Sequence, residues 1–340
     1  VNGIWEHGGM VNGYDPQMKD VEHSSEMAAD SSVIIALDYG DPLQFERFLA
    51  TTKTTEQLHT GINEFGHRHF KSIKMSATEV RPDGVDTNYH GRAMRPAAMI
   101  AWYSGLPPAV ELVQSWARAW SEDTVRAGET KPAGVLPAIV CYADDSLEVG
   151  GDWCATRLGY LYRWHPGRHS MVFGKMLGAW MMTGDDTVLD GMRAELQLIR
   201  EYIGKEPRDA AAGSLDWAGQ RLARYPQFAT WYRICTGDRQ FDDLVKLDGE
   251  LENRKLSLAR AAEYGNFLIT GDAELFEKAY ERDLGTPDAD ADVQRRWTSG
   301  MRYNLPMITS EVRGTDRVDL RPGALLPALT GSSLPVTEPP

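Results

Sequence analysis

The stretch Ala179-Trp180-Met181-Met182-Thr183-Gly184-Asp185 decides the fold, because variants of this phrase recur along the chain. The other copies occupy residues 36–41, 101–105, 231–238 and 267–272. Each copy ends an apolar run of helical periodicity, and a glycine just after a helix adopts the left-handed conformation without a steric penalty. The aspartate that usually follows this glycine can cap the next helix. The pattern therefore predicts a series of helix–turn–helix hairpins.

Apolar residues at three- and four-residue spacing predict the helices on either side of these turns. The predicted helices cover residues 26–37, 43–51, 94–103, 109–120, 171–182, 188–203, 256–269 and 273–282. The turn glycines are unevenly spaced, which argues against a regular solenoid. Two long inserts, residues 53–92 and 123–168, interrupt the hairpins and hold most of the unusual chemistry, as expected for functional loops on a rigid scaffold.

Irregular helical hairpins rich in aromatic residues resemble the (α/α) toroid of many polysaccharide lyases and glycoside hydrolases. The resemblance covers about residues 24–282. It implies an all-α fold, namely an incomplete or closed barrel of helical hairpins with long inserted loops, and a catalytic domain over residues 1–297. Residues 298–340 are then an extended tail, a linker or the start of a missing β domain. The chain has ten Trp and thirteen Tyr residues, whose faces can stack on sugar rings.

Two short basic windows stand out in a chain whose formal net charge is -13. Residues 67–95 hold six basic and three acidic residues, and residues 157–169 hold three basic residues and no acid. Together the windows contain five of the eight histidines, interleaved with tyrosine and tryptophan. Such a concentration of positive charge predicts a focused field for an anion. The alternative is a set of solvated helix faces and structural histidines.

The first window contains the segment Asp86-Thr87-Asn88-Tyr89-His90-Gly91-Arg92, just before a predicted helix. β-Elimination of a uronic acid needs a group that neutralises the carboxylate, a base for the C5 proton and an acid for the leaving oxygen. Asn88 and Arg92 could bind the carboxylate, while His90 and Tyr89 could move protons. The segment resembles the asparagine-and-histidine pattern that precedes an inner helix in toroid lyases of the alginate and heparin type. The alternative is a turn whose polar residues cap a helix.

Further residues of both windows are candidates for substrate binding. His67 and His69 are two residues apart, so on an extended segment both face the same way, as a substrate clamp or a metal pair requires. Glu64 or His90 could add a third metal ligand, but anion recognition is the preferred interpretation, with no metal site and no required cofactor. The complete set of predicted substrate-binding residues is His67, Arg68, His69, Trp102, Tyr162, Trp164, His165, Arg168 and His169.

The carboxylates of the chain suggest two alternatives to the lyase interpretation, which are hydrolysis and cation binding. A glycoside hydrolase on the same fold could use two of Asp86, Asp144, Asp145, Glu148 and Asp152, since glycosidases place two carboxylates on either side of the scissile bond. The acidic loop is also compatible with a structural divalent cation such as calcium. Asp15, Asp20, Glu22, His23 and Glu26 form a second group that could hold a cation. A third function compatible with the sequence is non-catalytic glycan binding by a helical protein.

The expected partner is an acidic polysaccharide or oligosaccharide. The low isoelectric point and the lack of long basic runs argue against duplex nucleic acid, and no apolar run approaches the roughly twenty residues of a membrane span.

Cys141, Cys154 and Cys235 lack metal-site spacing, so we expect buried free thiols, with a Cys141–Cys154 bridge as the alternative. The chain begins at Val1, from which we expect that a leader or an upstream domain has been removed. A secreted or periplasmic location is favoured, and the oligomeric state is not predicted.

Overall fold

The structure is a computed structural model that describes residues 42–73, 84–148, 150–155, 162–245, 267, 269–275 and 277. Of these residues, 59% are helical, so the fold is mainly α. Several predictions fall outside the described residues. They are the helix at 26–37, most of the helices at 256–269 and 273–282, the turn at 36–41, the acidic group from Asp15 to Glu26 and the tail 298–340.

Eight α-helices are described over residues 42–236, and we number them in chain order. They are α1 (Pro42–Thr54), α2 (His90–Ala93), α3 (Arg95–Ser104), α4 (Pro107–Val125), α5 (His169–Thr183), α6 (Asp190–Tyr202), α7 (Leu215–Leu222) and α8 (Gln227–Thr236). A π turn, Thr55–His59, follows α1, and the 3₁₀ turns Pro166–Arg168 and Asp186–Leu189 precede α5 and α6. The helices predicted at 43–51, 94–103, 109–120, 171–182 and 188–203 are confirmed, with ends that differ by a few residues.

The glycine–aspartate turns behave as the sequence predicts. Gly105, Gly184 and Gly237 follow α3, α5 and α8 with φ angles of 64°, 69° and 72°. Only glycine adopts this left-handed conformation without strain. Asp185 and Asp238 each accept a hydrogen bond from the backbone N–H two residues later. One short phrase thus ends one helix and starts the next.

Four short strands lie in the two long inserts, which the all-α prediction did not contain. Strands β1 (Thr60–Ile62) and β2 (Arg68–Phe70) pair antiparallel, with Gly61 opposite His69. Strands β3 (Val85–Thr87) and β4 (Ile139–Cys141) pair in the same way, with Asp86 opposite Val140. Three residues are too few for alternation to appear in a sequence, because the period-two signal needs four or more residues.

Helix α4 is the centre of the packing. It contacts α3, α5, α6 and strand β2, while α1 packs on α3, α7 on α6 and α8 on α5. Trp116 and Trp120 on α4 are completely buried. Consecutive hairpins therefore lie side by side around one continuous core, and α4 carries side chains from that core to the strands of the inserts.

Within the described part of the chain, no helix has both the length and the apolar character needed to cross a membrane. Cys141, Cys154 and Cys235 are free thiols, so the Cys141–Cys154 bridge is not formed. Burial raises the pKa of each thiol to about 12. Thiols with so high a pKa stay protonated at neutral pH and are poor nucleophiles.

Candidate functional site

The two basic windows meet at Tyr89, in the turn that leads into α2. The guanidinium carbon of Arg92 lies 4.6 Å from the centre of the Tyr89 ring, and that of Arg168 lies 5.5 Å from it. The ring of Tyr162 approaches edge-on, with its centroid 5.5 Å away. We call Tyr89, Arg92, Tyr162 and Arg168 the Tyr89 cluster. Two cations and two aromatic rings from separate parts of the chain thus share one place, as cation–π contacts favour.

Close contact between α2 and the start of α5 brings the two windows together. A Cβ atom at Gly91 would collide with the carbonyl oxygen of Met171, so any larger residue would push the two helices apart. Gly91 therefore sets the distance between the segment that carries Tyr89 and the segment that carries Arg168.

The accessible side of the Tyr89 cluster is formed by the second window. Tyr89 is only 2% exposed, whereas Arg168 is half-buried and His165 is exposed. Partial burial and the nearby charges of Arg168 and His169 lower the pKa of His165 below 6.5. Its imidazole is therefore neutral at pH 7, and its Nδ1 accepts a hydrogen bond from the backbone N–H of Gly167 at 3.1 Å.

A second group of side chains, His67, His69, Asp123 and Asp145, converges beside strand β2. One ligand atom from each residue lies within 4.8 Å of the other three. His67 Nδ1 is 3.0 Å from Asp145 Oδ2, and His69 Nε2 is 3.1 Å from Asp123 Oδ2. We call these four residues the histidine–carboxylate cluster. The predicted common direction of His67 and His69 is observed, since both imidazoles reach this cluster.

The four residues of this cluster come from three parts of the fold. His67 and His69 belong to the segment of β2, Asp123 lies in the last turn of α4, and Asp145 follows β4. Asp145 has a φ angle of 57°, a left-handed conformation that is uncommon for residues other than glycine. Asn63 Nδ2 donates a hydrogen bond to Asp145 Oδ1 at 2.7 Å. The loop after β4 is thus held so that this carboxylate points at His67.

The far nitrogen of each imidazole in the cluster is bound to a further carboxylate. His69 Nδ1 lies 3.0 Å from Asp86 Oδ2, and His67 Nε2 lies 2.8 Å from Glu122 Oε2. Burial would lower the pKa of His69, but the negative charges of Asp123 and Asp86 raise it to about 10. A hydrogen bond to Asp145 raises the pKa of His67 in the same sense.

Asp86 is a buried acceptor that serves several elements. Its Oδ2 accepts hydrogen bonds from the backbone N–H of Phe70 at 3.2 Å and from the indole nitrogens of Trp116 and Trp120 at 2.8 and 3.1 Å. Its Oδ1 lies 2.7 Å from His90 Nδ1. Burial would raise the pKa of Asp86, but the adjacent His90 and His69 hold it well below its usual range. Asp86 is therefore ionised inside the protein.

Arg126 is the cation that the structure places against this acidic group. Its Nε donates to Asp123 Oδ1 at 2.8 Å, and its Nη2 donates to Asp145 Oδ2 at 2.9 Å. The formal charge of this group follows from four carboxylates, which are Asp86, Glu122, Asp123 and Asp145, and from one cation, Arg126. The sum is -3 when the imidazoles of His67 and His69 are neutral and -1 when both are protonated. The surroundings of His67 and His69 therefore attract a cation, not the anion that the sequence analysis expected them to bind.

His90 lies inside the protein, which differs from the expectation that it contacts a substrate. It is completely buried and stacks on Phe70 with ring centres 4.0 Å apart. Its Nδ1 lies 2.9 Å from the backbone nitrogen of Thr87 and 2.7 Å from Asp86 Oδ1, so the N–H of Thr87 and the carboxylate of Asp86 compete for this one ring nitrogen. Because the imidazole closes its own turn and faces Asp86, it positions the segment of Tyr89 and cannot reach a solute in this conformation.

Other predicted binding residues also have structural partners. His69 and His169 are completely buried, and His169 Nδ1 lies 2.8 Å from Glu195 Oε2. Trp164 is buried and donates its indole N–H to the carbonyl oxygen of Leu136 at 2.8 Å. These three side chains are therefore enclosed, and the substrate contacts expected of them cannot form in this conformation.

Asn88 and Arg68 bind the protein itself. Asn88 Nδ2 donates to the carbonyl oxygen of Pro137 at 3.1 Å, which ties the Tyr89 turn to the segment before β4. Arg68 Nε donates to Ser115 Oγ at 2.8 Å and so links β2 to α4.

Trp102 belongs to a separate cleft of about 670 Å³ between α3, α4 and α5, which it lines together with Met181 and Met182. No member of the Tyr89 cluster lines this cleft. The structure thus does not bring Trp102 to the place where the two basic windows meet.

The carboxylates predicted as an alternative glycosidase pair are occupied by their own loops. Asp144 Oδ1 accepts from the backbone N–H of Ser146 at 3.0 Å, and Asp152 Oδ1 accepts from that of Cys154 at 2.9 Å. Glu148 Oε1 accepts from the backbone N–H of Lys131 at 3.1 Å. Asp86 and Asp145 belong to the groups described above. Among the described residues, none of these contacts presents two carboxylates to a common cleft.

Sequence reasoning missed Glu122, Asp123 and Arg126. Acidic residues in the last turn of a helix oppose the helix dipole, which favours cations at that end. Glu122 and Asp123 occupy this unfavourable place on α4, which is a signal that a positive group compensates them. No local pattern indicates that α4 ends beside β2.

In comparisons with known proteins, no protein-family model, curated protein or solved structure matches the chain significantly.

Proposed function

We propose that this protein is a polysaccharide lyase whose hairpins form an (α/α) toroid, and that it cleaves a uronic-acid-containing polysaccharide or oligosaccharide by β-elimination. The observation that carries the proposal is the Tyr89 cluster, in which guanidinium groups from two distant segments flank one phenol ring. This arrangement combines the two things that the reaction requires, which are neutralisation of a carboxylate and a group that can transfer a proton.

Carboxylate binding is the role of the arginines. The C5 proton of a uronate becomes acidic enough to remove only when the charge of the adjacent carboxylate is neutralised. Arg168 is the half-buried member of the cluster, so it meets the carboxylate first, and a guanidinium group can bind both carboxylate oxygens. Arg92 lies on the same phenol ring and adds positive charge behind it.

Proton transfer is the role of Tyr89. Its side chain is only 2% exposed, so the proposal requires Arg168, which lies over the Tyr89 ring, to move aside as the uronate binds. Positive charge beside the ring stabilises a phenolate, which can accept the C5 proton. The electrons of the C5–H bond form the C4–C5 double bond as the bond from C4 to the leaving oxygen breaks. The phenol then gives its proton to that oxygen, so one side chain serves as base and acid in turn.

His90 and Asn88 position Tyr89 in this proposal. Each lies next to Tyr89 in the chain, and each anchors the turn, His90 through the backbone of Thr87 and Asn88 through the carbonyl oxygen of Pro137. His165, which is exposed beside Arg168, contacts the next sugar of the chain.

The proposal is tested with uronate polymers, such as alginate, pectate and heparin-type chains, and the protein as purified. The product of β-elimination absorbs ultraviolet light through its new C4–C5 double bond, whereas a hydrolysis product does not. We expect absorbance to rise with at least one polymer. Loss of a general acid–base group costs typically 10²–10⁴-fold in rate, so Tyr89→Phe should lower kcat by at least about 100-fold with little change in KM.

Tyr103→Phe, on α3 and outside the cluster, is the matched control and should keep normal turnover. Arg168→Ala should raise KM and lower kcat together, because the carboxylate is bound in both the ground state and the transition state. Unchanged turnover in Tyr89→Phe overturns the assignment. New reducing ends without absorbance, or binding without turnover, reject β-elimination and point to hydrolysis or to simple glycan binding.

A further inference from the structure

We propose that His67, His69, Asp123 and Asp145 bind one first-row divalent metal ion of the zinc type. The inference goes beyond the proposed lyase activity and does not depend on it. It rests on the positions of the four side chains, on the groups that hold their outer atoms and on the charge of their surroundings.

The spacing of the ligand atoms suits one small ion. Zinc binds imidazole nitrogen and carboxylate oxygen at about 2.0–2.2 Å, which places tetrahedral ligands roughly 3.4 Å apart. Two separations in the cluster, 3.0 Å for His67 with Asp145 and 3.1 Å for His69 with Asp123, are already in that range. All four atoms lie within 4.8 Å of one another, so a shift on the order of 1 Å would complete the site.

The outer contacts of both imidazoles are those of metal-bound histidines. A histidine ligand usually donates its other ring N–H to a carboxylate, which fixes the tautomer and the orientation of the ring. Asp86 holds His69 Nδ1 in this way, and its own Oδ2 is fixed by two tryptophans. Glu122 holds His67 Nε2 at 2.8 Å. The inward nitrogens, Nε2 of His69 and Nδ1 of His67, then both point at the carboxylates.

Unsatisfied buried atoms supply an independent observation. His69 Nε2 and Asp123 Oδ2 are both fully buried, and neither makes a hydrogen bond of acceptable geometry in the described structure although they lie 3.1 Å apart. Buried polar atoms of this kind are rare without a partner. One cation between them would satisfy both atoms.

Arg126 does not exclude the ion. It binds Oδ1 of Asp123, and the inward oxygen of that carboxylate is Oδ2, which faces His69. On Asp145 it shares Oδ2 with His67 Nδ1, and Asn63 holds Oδ1. The group retains a charge of -3 with neutral imidazoles even when Arg126 is counted, so a divalent cation brings it close to neutrality.

The mixture of ligands selects the metal. Calcium and magnesium prefer oxygen ligands throughout, whereas two imidazoles with two carboxylates suit zinc and its neighbours in the first row. We therefore expect Zn²⁺ to bind much more tightly than Ca²⁺ or Mg²⁺.

The experiment measures metal binding directly, without substrate. The purified full chain is stripped with EDTA, dialysed and titrated with ZnCl₂, and bound zinc is measured by mass spectrometry while Tm is followed by thermal unfolding. We expect one zinc per chain and a rise in Tm of several degrees, since a ligand that binds only the folded state stabilises it. CaCl₂ should give neither effect.

Three variants locate the site. His67→Ala and Asp145→Asn remove ligands and should weaken zinc binding by more than about tenfold, and Glu122→Gln should weaken it about 10–100-fold by loosening His67. Glu64→Gln and His165→Gln are matched controls, exposed residues of the same types outside the cluster, and should bind zinc as the parent does. His67 and Glu122 lie near the surface, so these variants should fold.

Two results would overturn the site. One is a parent protein that takes up less than about a tenth of an equivalent of zinc and shows no change in Tm, which would leave the cluster as a network of protonated histidines and carboxylates. The other is zinc binding that is unaffected by His67→Ala and by Glu122→Gln, which would place the metal elsewhere. Neither result bears on the absorbance assay for the lyase.

Discussion

The histidines show how a residue's partner decides its role. His69, His90 and His169 come from the basic windows, yet each is completely buried and each meets a carboxylate, Asp86 for the first two and Glu195 for the third. A buried imidazole is stable next to such a partner, because burying an unpaired polar or charged group costs free energy. The charges of these buried imidazoles are thus compensated inside the protein, and among the described arginines and lysines of the windows Arg163 is exposed while Arg68, Lys71 and Arg168 are half-buried.

Lys131 is the clearest case of a buried cation with a structural task, and it supports a prediction. Its Nζ donates to the carbonyl oxygens of Thr124, Arg126 and Pro132 at 3.1, 2.8 and 3.0 Å. Burial lowers its pKa to about 7, but three carbonyl acceptors around one nitrogen favour the ammonium form. Lys131→Met keeps most of the length of the side chain and leaves these carbonyls without a donor. Those of Thr124 and Arg126 lie at the end of α4, where backbone acceptors lack helical partners.

We expect Lys131→Met to lower the free energy of unfolding by about 3 kcal/mol or more, since each of the three unsatisfied carbonyls costs roughly 1–3 kcal/mol. Urea unfolding at pH 7 measures this difference. Lys53→Met, at an exposed position of α1, is the control and should change stability by less than about 0.5 kcal/mol. Equal stability of the two variants would show that water takes the place of the ammonium group.

The hairpin turns are the part of the fold that the sequence predicts best. The conformation of a glycine–aspartate turn is determined by four or five consecutive residues, so the local sequence is enough to predict it. Gly105, Gly184 and Gly237 adopt the predicted left-handed angles. The strands of the inserts were missed because each has three residues and acquires its structure from a partner strand. For β3 and β4 that partner is more than 50 residues away.

The turn at Asp185 allows a prediction on pH. Partial burial would raise the pKa of Asp185, but hydrogen bonds from Thr187, Arg118 and Gln114 hold it well below its usual range. An aspartate with a depressed folded pKa stabilises the protein above the unfolded value of about 3.9, and this contribution is lost as the pH falls below that value. Through its hydrogen bonds with Thr187, Arg118 and Gln114, the carboxylate of Asp185 also connects the 3₁₀ turn before α6 to helix α4.

Asp185→Asn keeps the cap but removes the charge that attracts Arg118. We expect it to lower the free energy of unfolding by about 1 kcal/mol at pH 6, in the range of a hydrogen bond to a charged group or a helix cap. The difference should be smaller at pH 3 than at pH 6, because the carboxyl of the unfolded parent is mostly protonated at pH 3 while the folded carboxyl stays ionised. Urea unfolding at the two pH values measures it, and a difference that stays constant would assign the effect to packing instead of charge.

Over the whole molecule, the sequence predicts the helices and fails at contacts between distant segments. The candidate residues His67 and His69 were chosen correctly as a pair with one direction, but their partners lie 55 and 54 positions away, at Glu122 and Asp123. Nothing local indicates that the end of α4 meets β2. The convergence of Tyr89 with Arg168 was expected from the toroid resemblance and the basic windows, whereas the enclosure of His90 follows from Phe70 and Asp86, whose approach only the folded structure shows.

Asp86 connects the elements of the first insert to the centre of the fold. Through one oxygen it binds β2, by the backbone of Phe70 and the ring of His69, and α4, by Trp116 and Trp120. Removal of one member of a buried ion pair costs about 3–5 kcal/mol, because the other charge is left without compensation. Small domains are stable by only about 5–15 kcal/mol in total, so the loss at this one position is a large fraction of the whole.

We therefore expect Asp86→Asn to lower the free energy of unfolding by about 3 kcal/mol or more. Trp116→Phe, which removes one of the four donors to Asp86 Oδ2 and leaves a cavity in the core, should cost about 2–3 kcal/mol. Asp144→Asn, at an exposed carboxylate, should cost almost nothing. Urea unfolding is followed by tryptophan fluorescence and by far-ultraviolet circular dichroism. Because Asp86 ties α4 to the strands, the two signals should change together at a lower urea concentration, as in a single cooperative transition. If the fluorescence transition moved while the helical signal kept its parent midpoint, the inserts would unfold separately from the helical hairpins, and Asp86 would not join these two parts of the fold into one cooperative unit.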